Sequence, residues 1–175
     1  VSFNNGVVNI GNTSAPLAVR CLLNNSAPPN NGRWSPLAYE DATNQTARYY
    51  VTGTSPNAVV TDDFTGLMWE QTGSTLPLSW NTTEVPGSIQ AYCASLRKGT
   101  YDDWRVPTIV ELQSLEDYTI FAAGPTINTV IFPGTQNGRY WTSIAAPGSV
   151  VPWHASFGLQ ANYGGLICNS FTQSD

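Results

Sequence analysis

The side chains best suited to chemistry in this sequence are three cysteines, one histidine and a few adjacent carboxylates. They are Cys21, Cys93 and Cys168, His154, and the pairs Asp62-Asp63, Asp102-Asp103 and Glu116-Asp117. No cysteine belongs to a C-x-x-C pair, which removes zinc-ribbon and thioredoxin chemistry. A single histidine excludes a multi-histidine metal centre. A serine-histidine-aspartate triad would have to use His154, and no G-x-S-x-G elbow surrounds any serine. Asp102 and Asp103 offer oxygen ligands, but calcium needs about six or more and no D-x-D-x-D-G run is present. Glu111, Glu116 and Asp117 could supply a glycosidase pair only by facing each other across a sugar. Glu111 is already committed to a helix cap, and adjacent residues point apart. The sequence therefore assigns no catalytic residue, no metal ligand and no cofactor.

The elements that would position these groups make up a 175-residue, 18.9 kDa chain, the length of one domain with room for a tail. Only 11% of residues are charged while 11% are aromatic, a balance that folds rather than stays disordered. The net charge of -5 argues against nucleic acid as a partner, because phosphate contacts need clustered Lys and Arg. No apolar run approaches the length of a membrane span, and no G-x-x-x-x-G-K-[ST] or G-x-G-x-x-G phosphate cradle occurs. The Asn/Ser/Thr-rich, Lys-poor composition suits a secreted or cell-surface protein, where two cysteines would pair and one would remain. Beginning on Val1 with no signal peptide, the chain reads as a mature form or a fragment.

Two helices stand out. Ile89, Tyr92, Cys93 and Leu96 repeat at helical spacing over residues 87–98, with Gly99 as a natural C-cap. Thr108 and Glu111 form a T-x-x-E capping box that starts a second helix running to about Asp117. Strands are expected at 47–53, 58–61, 66–71, 139–143, 153–157 and 165–170, with a hairpin or two short strands in 1–23. The fold class is α+β: two helices on short, mostly antiparallel strands, rich in loops. Residues 102–108 read as a turn in which Trp104 and Arg105 lock the helices together. Trp69, Trp104 and Trp141 sit in strand or turn signatures and read as core, whereas Trp34, Trp80 and Trp153 lie beside Pro or Asn and are the candidate ligand-surface aromatics.

The run Val59-Val60-Thr61-Asp62-Asp63-Phe64-Thr65-Gly66-Leu67-Met68-Trp69-Glu70 resembles the opening motif of a bacterial family, the C-terminal domain of collagen-like surface adhesins (Lcl C-terminal domain). The resemblance continues through Ala91-Tyr92-Cys93, Tyr101-Asp102-Asp103-Trp104-Arg105-Val106-Pro107-Thr108, Glu111-Leu112, Phe132-Pro133, Tyr140-Trp141-Thr142-Ser143 and Cys168. It spans about residues 47–170. The Trp104-Arg105…Pro107-Thr108…Glu111-Leu112 segment also looks like the formylglycine-generating branch of the C-type-lectin fold. What the resemblance implies is a C-type-lectin-like fold and a disulfide between helix residue Cys93 and final-strand Cys168, leaving Cys21 free or intermolecular. It also implies structural roles for Trp69, Trp104, Arg105, Thr108, Glu111 and Trp141. The calcium-lectin triplets are missing, since Trp80-Asn81-Thr82 lacks a second carboxylate, and no reactive cysteine pair matches the enzyme branch.

One segment lies outside that match. Val1-Ser2-Phe3-Asn4-Asn5-Gly6 through Val19-Arg20-Cys21-Leu22 resembles the family's closing strands, and Ala155-Ser156-Phe157…Ile167-Cys168 is a weaker version of the same pattern. The expected organisation is a strand segment at 1–23, a Pro/Asn-rich linker at 24–46 and the family domain at 47–175. The expected function is a non-catalytic extracellular module, acting in adhesion or as a fibre subunit whose residues 1–23 engage a neighbour. The alternatives are a calcium-independent glycan-binding lectin and, more remotely, a formylglycine-generating-type enzyme. The partners expected are a second copy of the chain and a glycan or host-surface ligand.

Overall fold

The computed structural model describes residues 18–23, 48–117, 120, 124–145 and 152–158. Its elements are β1 (Leu22–Leu23), β2 (Tyr49–Thr52), β3 (Val59–Asp62), β4 (Leu67–Glu70), α1 (Ile89–Ser95), β5 (Trp104–Arg105), α2 (Ile109–Gln113), β6 (Arg139–Ala145) and β7 (Pro152–Ser156). Five strands form one sheet in the order β2-β3-β4-β1-β5, and β6 pairs with β7 in a second. Every strand pair within the two sheets is antiparallel. The α+β expectation holds: two helices and an antiparallel sheet.

The β3–β4 hairpin shows how local chemistry sets the frame. Asp62 accepts hydrogen bonds from the Phe64 amide at 3.0 Å and the Thr65 hydroxyl at 2.8 Å, and the left-handed turn position falls on Gly66 (φ 72°). Arg48 then donates twice to the Asp62 carboxylate, at 2.9 and 2.7 Å, which fastens the β2 end to the turn.

Both helices are shorter than their periodicity suggests. Helix α1 opens on Ser88, which accepts from the Ala91 amide at 3.2 Å, and stops when Leu96 turns extended (ψ 140°). Gly99 is therefore not its C-cap. It lies in the Lys98–Tyr101 turn at φ 60°, where an added Cβ would meet a Val59 methyl at 2.9 Å. Helix α2 opens on the expected capping box. Thr108 accepts from the Glu111 amide at 3.3 Å, and the Thr108 amide donates to Glu111 Oε2 at 2.7 Å. The helix ends at Gln113, short of Asp117. Residues 104–105 are not turn but strand: they are β5, paired with β1 through Leu22↔Arg105 and Leu23↔Trp104.

The core is divided in two, and the segment 18–23 is the divider. Leu22 belongs to a cluster with Trp69, Leu112 and Phe132, against which Ala18 also packs. Val19, Cys21 and Leu23 belong to a second cluster with Ile89, Cys93, Trp104 and Trp141. Period-two alternation sends neighbouring side chains to opposite faces, and here both faces are covered. The expected strand at 165–170 and the first seventeen residues of the chain lie outside the described residues.

Candidate functional site

The most constrained place in the molecule is the slot that holds residues 18–23. Its rims are β4 on one side and β5 on the other, and its near end is β6. The inserted backbone is tied at nearly every residue. Ala18 accepts from the Trp141 amide at 2.9 Å, Val19 from Ser74 at 3.1 Å and Cys21 from Glu70 at 3.0 Å. Ala18 also bridges Tyr140 in parallel, so this one segment joins the two sheets.

Two side chains lock it. Cys21 is bonded to Cys93 of α1, with Cα atoms 5.6 Å apart at a sequence separation of 72. This corrects the expected Cys93–Cys168 pair and the expectation that Cys21 could be a free thiol. The expectation assumed that the final strand lies beside α1. Residues 18–23 occupy that place instead, and their alternation turns Cys21 toward Cys93. Cys168 lies outside the described residues.

The second lock is Arg20, which is fully buried. Its Nη1 donates to the Glu70 carbonyl at 2.7 Å and to the Gln71 carbonyl, and its Nη2 donates to Thr135 Oγ1 at 2.8 Å. The guanidinium also stacks on Phe132, 4.9 Å from the ring centroid. Burial pulls its pKa below the ordinary arginine value, and Tyr140 and Glu70 oppose that shift. Beside it the buried Glu70 carboxylate accepts from Lys98 Nζ at 2.8 Å and the Tyr92 hydroxyl at 2.6 Å. Glu70 Oε2 also lies 3.4 Å from the Cys21 amide, so the family-motif carboxylate faces the inserted strand. Burial, and then Glu70, push the Tyr92 phenol well above its usual pKa. This is a structural polar network with its charges paired, not a poised acid-base couple.

The remaining candidates sit elsewhere. Arg105 grips Glu111 with two bonds of 2.9 and 2.7 Å. Burial works against the Glu111 charge, but the Arg105 and Thr108 hydrogen bonds outweigh it and hold the carboxyl below its usual range. Trp69, Trp104 and Trp141 are buried, and the Trp141 indole donates to the Leu78 carbonyl at 3.1 Å. Among the ligand-surface aromatics, Trp80 is only 6% exposed and its indole donates to the Thr142 carbonyl at 2.9 Å. Trp153 is half-buried on β7, and Trp34 lies outside the described residues. Of the two described rings, the buried Trp80 offers no open stacking face. Trp80 was misjudged because its loop neighbours, Ser79 and Asn81, conceal a ring that enters the second core cluster.

A cleft of about 450 Å³ opens between α1 and β5, with Thr82, Glu84, Gln90, Arg105 and Ser143 among its lining. Its arginine is already paired with Glu111, and no cysteine or histidine lines it. Among the described residues no group of three or more His, Cys, Asp or Glu side chains could hold a metal ion. Nor is any described helix long and apolar enough to cross a membrane.

These features define an α+β domain in which an inner strand of the sheet is seated by a disulfide and a buried arginine. The family model of the Lcl C-terminal domain matches residues 58–170, more than half of the chain, and the protein belongs to that family. It is thereby a module of the bacterial surface-protein type. No curated protein and no solved structure matches the chain. The matched span contains β3 through β7 and both helices, but neither β1 nor the edge strand β2. An inner strand of the sheet, β1 between β4 and β5, thus lies N-terminal to the matched span.

Proposed function

We propose that this protein is a non-catalytic extracellular module that builds a bacterial surface fibre, with residues 1–23 as its joining element. The observation that carries the reading is the origin of β1: the domain of 58–170 is closed by residues 18–23, which lie outside it. A sheet with an unfilled slot exposes unpaired amides and carbonyls and two opened core clusters, and adding a strand relieves both. Head-to-tail addition that does not close on itself makes a fibre. The disulfide and the family membership favour an extracellular, oxidising location. Adhesion to a host or glycan surface would be a property of the assembled fibre.

Full-length oxidised protein should form filaments visible by negative-stain microscopy, with sedimentation that grows with concentration. An excess of a synthetic peptide spanning residues 1–23 should fill slots and shorten them. A chain that stays monomeric at every concentration, with no response to the peptide, sinks the reading.

A further inference from the structure

We infer that in the assembled fibre β1 is exchanged, so that the Cys21–Cys93 bond joins neighbouring copies and makes the fibre a covalent chain. The inference rests on the fibre reading and adds the identity of the joint. Each contact described for residues 18–23 is kept; only the copy that supplies the strand changes.

Three observations point to exchange. First, the slot strand and the slot belong to separable stretches. Residues 24–47 lie between β1 and Arg48, and 24 residues can reach up to about 80 Å when extended. Second, everything that recognises the strand is on the slot side. Cys93, the Glu70 and Gln71 carbonyls and Thr135 each await a group that β1 brings. The interaction is therefore complete whichever copy provides it.

Third, the chain carries one slot and two segments of the matching pattern. Set Cys168 in register with Cys21, and Leu166-Ile167-Cys168-Asn169 falls on Val19-Arg20-Cys21-Leu22. The second segment is the poorer occupant. Ile167 would leave the acceptors of Arg20 without a donor, and Asn169 would put an amide where Leu22 is fully buried. The slot is therefore specific for the 18–23 sequence, which every copy carries and a neighbouring copy can supply.

The bond itself forms by thiol–disulfide exchange. Two thiols, Cys21 of one copy and Cys93 of the next, give up two protons and two electrons to a disulfide oxidant such as oxidised glutathione. That oxidant leaves as two thiols, and one S–S bond joins the copies.

The test uses wild-type chain prepared in two forms, one with natural nitrogen and one with heavy nitrogen. The forms are mixed, unfolded and reduced, and assembled with oxidised glutathione. Free thiols are blocked, the product is digested, and the linked peptide carrying Cys21 and Cys93 is weighed. Exchange gives hybrid masses, with one light and one heavy partner, and a ladder on a non-reducing denaturing gel that collapses on reduction. In a Cys168→Ser background, mixing Cys21→Ser with Cys93→Ser chains should give linked dimers and nothing longer. Filaments whose linked peptides are never hybrid overturn the inference while leaving the fibre reading in place. Absence of any filament removes both.

Discussion

Replacing Arg20 with methionine asks whether a buried cation seats β1 between β4 and β5. The substitution keeps much of the volume and all of the apolar stem while deleting the guanidinium. In the structure that group serves the Glu70 carbonyl at 2.7 Å, the Gln71 carbonyl and Thr135 Oγ1 at 2.8 Å. A buried acceptor stripped of its donor costs about 1–3 kcal/mol. The Gln71 residue is half-exposed and water can replace its donor, and Thr135 can fall back on its own 2.8 Å bond to the Phe132 carbonyl. The Glu70 residue is fully buried, and its carbonyl has no such relief from solvent. Against these losses stands the recovered cost of burying a cation, which makes complete replacement of some buried ion pairs neutral or better. Here only one side of the network is replaced, so the acceptors remain and the loss wins. We expect Arg20→Met to destabilise the oxidised domain by about 2–4 kcal/mol, and Arg20→Lys by less, because an ammonium reaches some of the same acceptors without the flat stack on Phe132. Urea midpoints at matched slopes measure both. A methionine variant within about 0.5 kcal/mol of wild type refutes the reasoning, because that is the size of an ordinary surface change. It would also weaken the argument that Ile167 is a poor substitute for Arg20.

Three further outcomes follow from the packing. Burial, then the Arg139 charge, lower the His154 pKa to about 4 from 6.5. The unfolded chain thus binds the extra proton first, and stability should fall by about 1.4 kcal/mol per pH unit as pH drops from 6.5 toward 4. Glu111, held below its ordinary 4.5, adds its own loss only at lower pH. His154→Leu should flatten the upper window in pH-dependent urea melts, and a wild-type profile already flat there contradicts the assignment. Trp80→Ala should cost about 3–5 kcal/mol as a core truncation, and a stable variant that only loses glycan binding would restore the lectin reading. Gly99→Ala should cost about 2 kcal/mol, part from the left-handed backbone and part from the Val59 contact; an unchanged thermal midpoint would show that the turn shifts freely.

What was legible in the sequence was whatever a short stretch of chain decides by itself. The T-x-x-E box at Thr108 and Glu111 closes within one turn of helix, so residue types alone set it, and the structure shows both halves of the box. The Asp62 turn is equally local. Helix lengths were overread because Leu96 continues the apolar period while its backbone has already become extended. The larger miss was β1. A strand was expected within 1–23, but not that Arg20 would be fully buried, because arginine is almost never fully buried without partners. Its partners are carbonyls and a hydroxyl 50 to 115 residues away, which no local pattern can display. The same distance misplaced the disulfide: Cys93 was correctly put on a helix, but its mate depends on which of two similar segments fills one slot. Arg20 and Leu22 of one segment stand against Ile167 and Asn169 at the corresponding sequence positions of the other. A resemblance between chain ends that looked like redundancy is therefore the informative feature. On the fibre reading proposed above, two similar segments and one slot make occupancy, rather than fold, the variable on which assembly would turn.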